Sequence, residues 1–163
     1  SLHDILKKNK DVIFIGEDIL DPYGGAFKVS KGLSTAFSEQ IISTPISEAG
    51  IVGAAIGMAM RGLKPIVEIM FGDFIALAAD QIINHASKYN WMYNEKVSVP
   101  LLIRTPVGGR RGYGPTHSQS LEALFMSVSG LDIFAPSVCH NPGEMLEELI
   151  KNIKNGINNN VTT

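Results

Sequence analysis

Short apolar runs alternate with longer segments of helical spacing along this chain. Residues 12–16 (VIFIG) are continuously apolar and closed by glycine, the pattern of a strand buried on both faces. Residues 41–43, 66–70 (IVEIM), 99–104 (VPLLIR) and 131–135 repeat that pattern, and the chain is expected to hold about six strands. Between them, residues 48–60 (EAGIVGAAIGMAM) are apolar nearly all round and rich in small side chains. This predicts a helix buried in close contact with a neighbour, with Gly62 at its C-terminal cap. Asp73 is placed to cap a long helix reaching about Tyr93. A short helix is expected near Lys31, another over 121–128 and a last one over 144–154. Strands alternating with helices predict an α/β fold: a three-layer αβα sandwich around a mainly parallel sheet.

Turn chemistry marks two long loops. Residues 17–25 hold Asp21-Pro22 and Gly24-Gly25. Residues 105–120 form a glycine-rich loop, and loops of that length inside a compact domain are usually functional. The asparagine-rich tail, 156–163, is expected to add no structure, which leaves 1–155 as one domain. The chain opens without methionine and reads as a fragment.

Composition narrows the function classes. Of 163 residues, 45% are hydrophobic and 18% charged, enough apolar material for a sizeable core. The formal net charge of -2 gives no basic excess to suggest nucleic acid or an anionic membrane as partner. No apolar run approaches the roughly 18 residues that span a bilayer. A single cysteine, Cys139, excludes a disulfide framework. His3, His85 and His140 have no ligand-like spacing, so no metal site is assigned to this chain.

Three places hold candidate chemistry. Glu48 lies between a strand and the apolar helix. Position alone suits a first-turn glutamate that favours the helix dipole equally well as a carboxylate at the ligand-binding end of an open sheet. Met70, Phe71 and Phe74 follow a strand, where they serve as core or as a wall for a flat heterocycle. Glu68 reads as structural, paired with backbone or an arginine. His117 sits in the long loop among Thr116, Ser118 and Gln119, which either set its tautomer or only tie the loop down. No phosphate-binding glycine motif follows a strand and opens a helix.

Three blocks, TPISEAGIVGAAIGMAMRGLKPIVEIMFGDF, DQIINHASKY and RTPVGGRRGYGPTHSQSLEA, resemble the beta subunits of 2-oxoacid dehydrogenases. The resemblance implies a transketolase-like pyrimidine-binding domain and thiamine diphosphate as cofactor. It implies that magnesium and the diphosphate are held mainly by a partner alpha subunit. By this resemblance Glu48 bonds the pyrimidine nitrogen N1′, and the shared proton helps the 4′-amino group activate the thiazolium carbon. Met70 and Phe74 match the pyrimidine wall, and His117 matches the histidine that passes the acyl group to a lipoyl carrier. The expected reaction is oxidative decarboxylation of a 2-oxoacid, pyruvate favoured over branched-chain acids and acetoin. The family also implies beta–beta self-association, a lipoyl acyltransferase core as partner, and a C-terminal domain beyond this chain. A transketolase or deoxyxylulose-phosphate synthase, or an assembly domain without catalysis, are the alternatives. Bacterial cytoplasm, mitochondrial matrix and plastid all suit the composition.

Overall fold

The structure, a computed structural model, describes residues 1–153 together with the backbone of 159–162. Six strands form one sheet in the order β2-β1-β3-β4-β6-β5, and every adjacent pair is parallel. They are β1 (Val12–Glu17), β2 (Ile41–Thr44), β3 (Lys64–Glu68), β4 (Leu102–Arg104), β5 (Leu131–Phe134) and β6 (Asn159–Thr162). The helices are α1 (Leu2–Lys8), α2 (Leu33–Ala36), α3 (Glu48–Met60), α4 (Tyr89–Met92) and α5 (Pro142–Asn152).

Side chains of a strand alternate between its two faces. The alternation divides the core in two. Ile15, Val67, Leu101 and Ile103 pack with Ile51, Val52, Ala55 and Ile56 of α3. Val12, Phe14, Ile66 and Leu102 pack on the other face with Leu2, Ile5 and Leu6 of α1 and with Leu149 and Ile150 of α5. A sheet covered on both faces is the expected three-layer sandwich, and it explains why its strands read as unbroken apolar runs.

The strand order places a topological switch between β1 and β3. The chain leaves β1 for β2 on one side and returns to β3 on the other. Ligands of open α/β sheets bind outside the carboxyl ends of the strands at such a point. Glu17 ends β1 there and Glu68 ends β3.

Four elements differ from the sequence expectation. The long helix from Asp73 to Tyr93 is instead a tight 3₁₀ segment, Gly72–Ala78, a wide π segment, Gln81–Ala86, and then α4. Asp73 does not cap it, because its carboxylate is engaged by Gln119 in the following loop. The first turn is also tied to that loop, Gly72 N donating to Pro106 O at 2.9 Å. Expected helix 121–128 is reduced to one 3₁₀ turn, Glu122–Leu124. Asn159–Thr162, expected to be unstructured, pairs with β4 and β5 and fills the space between them. The proposed boundary at 155 lies outside the described residues. The last helix begins at Pro142 rather than 144, because Asn141 caps it by accepting from Gly143 N and Glu144 N.

Candidate functional site

Glu48 is the first residue of α3 and is only 5% exposed. The strand β2 ends at Thr44, and Pro45 prevents its continuation. Ser47, extended at the N-cap, turns the chain into a helix whose Ile51, Val52, Ala55 and Ile56 lie in the core. That anchored apolar face holds the Glu48 backbone at the ligand-binding end of the sheet.

Glu17 is a second buried carboxyl, 5% exposed, that the sequence reading passed over. It shares the α3 side of the sheet with Ile15 by strand alternation. Its Oε1 is buried without a hydrogen-bond partner. Burial, then the nearby charge of Glu48, then that of Asp18 push its carboxyl up to about 7, against the pull of the Ser47 backbone amide. The signal in the sequence is a carboxylate ending a fully buried strand, one residue past the apolar run 12–16.

Glu68 lies on the opposite face, level with Gly16 of β1 and paired with Arg104 of β4. Burial raises its carboxyl while the guanidinium draws it down. The expectation of a structural, arginine-paired residue matches this geometry. A groove of about 590 Å³ also opens on that face, lined by Arg104, Leu33, Met145 and Leu149, away from Glu48.

The aromatic residues after β3 meet the long loop. Phe71 is buried, and Phe74 and Met70 are half-buried. The His117 ring stands edge-on to Phe71 at 4.7 Å and to Phe74 at 5.1 Å between centroids. Phe71 further contacts Phe27 and Tyr113, so loops from two other parts of the chain converge on it. Thr116 Oγ1 lies 3.0 Å from His117 Nδ1, which leaves Nε2 as the nitrogen not engaged there. Gln119 fixes the loop by donating to Asp73 Oδ1 from both its amide side chain and its backbone. That engagement holds the Asp73 carboxyl below its usual range, although partial burial opposes it.

The structure thus brings His117 and Phe74 together and places Glu48 with Glu17. A flat heterocycle with a basic ring nitrogen fits this donor set: a buried carboxylate for the nitrogen, an unpartnered carboxyl oxygen beside it, and aromatic edges along the β3 exit. Among the described residues no group of three His, Cys, Asp or Glu side chains is arranged to hold a metal ion.

Comparison with known proteins gives the same fold. The family model for the transketolase pyrimidine-binding domain matches residues 1–156. The chain is 41% identical over 150 residues to the beta subunit of the pyruvate dehydrogenase E1 component of Leifsonia xyli, covering 91% of this chain and 44% of that one. It is 40% identical over 144 residues to the beta subunit of acetoin:2,6-dichlorophenolindophenol oxidoreductase of Bacillus subtilis, covering 81% and 42%. It is 40% identical over 152 residues to the 2-oxoisovalerate dehydrogenase beta subunit of Pseudomonas aeruginosa, covering 93% and 42%. The chain spans less than half the length of these relatives. A solved split-gene transketolase, an inactive beta4 tetramer, superposes with a TM-score of 0.72 at 20% identity, covering 99% of this chain and 47% of that one.

Proposed function

Since the chain belongs to the family of transketolase pyrimidine-binding domains, we propose that it is the cofactor-activating part of a 2-oxoacid dehydrogenase beta subunit. The observation that bears most weight is Glu48, a buried carboxylate at the head of an apolar helix beside the switch point. Thiamine diphosphate, when bound, supplies the electron sink for decarboxylating a 2-oxoacid.

The residues of this chain do the orienting. Glu48 holds a proton at the pyrimidine nitrogen N1′, and the low dielectric around it strengthens that bond. Phe74 and Met70 would wall the ring and help exclude water from the carboxylate. His117, half-buried and edge-on to Phe71 and Phe74, is the group that handles the acyl product on its way to a lipoyl carrier. Pyruvate is the proposed substrate, ahead of acetoin and branched-chain acids.

The site is completed by an alpha subunit, which brings the diphosphate and magnesium ligands. Helix α3 supports this. It is apolar all round, a pattern that belongs to buried helices. Yet Gly53, Ala54, Gly57 and Met60 are exposed, as is Ile46 at 77% just before it. Glu48 itself lies on the opposite, core-facing stripe with Val52, Ala55 and Ala59, so a partner on the exposed face would pack against the back of the helix that carries it. The chain alone is then inactive, and a C-terminal domain, beta–beta association and docking on an acyltransferase core belong to the whole protein.

Glu48→Gln in the full-length chain, assembled with its alpha subunit, tests the reading. Decarboxylation is expected to fall by two or more orders of magnitude with assembly unchanged. Near-normal turnover would sink it.

A further inference from the structure

Glu17 and Glu48 reach one small region from different elements. Glu17 arrives at the carboxyl end of β1, and Glu48 arrives at the amino end of α3. Both are 5% exposed, and one oxygen of Glu17 is buried with no partner. Thr44 is level with Glu17 in the neighbouring strand, and its hydroxyl is also buried and unpartnered. Among the described residues no ion pair to Glu17 or Glu48 is formed, and Arg104, at the end of β4, is paired with Glu68 on the other face. Two ionised carboxylates in such surroundings are costly, since each is desolvated and each repels the other.

We propose that Glu17 is a positioning residue for Glu48, standing beside it as the neutral acid so that the buried site holds one negative charge rather than two. This rests on the functional reading of Glu48 given above and adds a residue to it. An ionised Glu17 would set a second negative charge in the buried site, beside the proton that Glu48 shares with a ring nitrogen.

The charged and titratable groups facing Glu17 are few. Glu48 acts from α3, with the Ser47 amide opposing it, and Asp18 acts from the next position in the chain. Glu68, across Gly16, is turned to the opposite face and held by Arg104.

The test is an infrared pH titration of the full-length chain without cofactor, reading the C=O band of protonated carboxyl groups. The parent is expected to lose one carboxyl's amplitude near pH 7, as burial and the neighbouring charge dictate. Glu17→Gln should remove that amplitude. Glu48→Gln should keep it but move its midpoint down by about 0.5–1 unit, because the neighbouring charge is gone. Unchanged amplitude in the first variant, or an unmoved midpoint in the second, overturns the proposal. The second variant decides the matter alone if the first does not fold. Failure to bind thiamine diphosphate with this coupling intact would remove the proposed function and leave the pair standing.

Discussion

Gln119 Nε2 donates to Asp73 Oδ1 at 2.7 Å, joining the histidine loop to the first turn after β3. The same oxygen accepts the Gln119 backbone N–H at 3.3 Å. Because His117 lies two residues before Gln119, this clasp fixes the ring against Phe71 and Phe74. Asp73→Ala should therefore free the loop more than it unfolds the domain. Hydrogen exchange over 105–120 is expected to rise several-fold, while α3 and β1 keep their protection. The clasp has a defined pH sense. The folded-state carboxyl is held low, so its contribution is present above the usual aspartate range and is lost as pH falls through the folded value. Uniform protection of loop and core in the variant would count against the clasp.

Glu17 gives stability the opposite slope. Its folded-state carboxyl titrates at about 7, against an ordinary value of 4.5. As pH rises between these, the unfolded chain loses the proton first and the folded state retains it. Folding thus weakens through that window by at most about 3 kcal/mol and no further above it. Glu17→Gln is neutral in both states and lacks this slope. Denaturant midpoints of the variant and the parent, compared at pH 5 and pH 8, should diverge in favour of the variant at pH 8. Parallel pH dependence in the two proteins would refute it.

Phe74 separates binding from stability. It is half-buried at the edge of the α3-side core, and its ring pairs with those of Phe71 and His117. Removing it should cost less than the roughly 3–5 kcal/mol of a fully buried phenylalanine. Cofactor affinity should fall by about tenfold or more, since the wall of the ring site is gone. A dissociation constant unchanged in Phe74→Ala would make the ring purely structural.

The fold was largely legible because both faces of the sheet are covered, so strands show as apolar runs and the helices between them as punctuated segments. Helix α3 was placed to the residue, since Thr44-Pro45 ends a strand and EAGIVGAAIGMAM has no polar face. Segment 72–93 was misread as one helix. Its composition suits any helical winding, and the deciding contacts, Asp73 to Gln119 and Gly72 to Pro106, are long-range. Strand β6 was missed because Asn159 and Asn160 have little strand propensity of their own, and pairing on both sides supplies what local sequence does not. Glu17 escaped because its neighbour Glu48 is distant in the chain, and only the parallel register and the turn into α3 bring them together.

The central claim is a cofactor site shared between this chain and an alpha subunit, with Glu48 on the pyrimidine side. A thiamine diphosphate titration of the full-length beta chain, in the presence of magnesium, with and without its alpha partner, tests it most directly. Saturable binding only when both chains are present, weakened by Glu48→Gln, is the predicted result. No binding in either case, with both chains folded and associated, would contradict the function and leave only the fold.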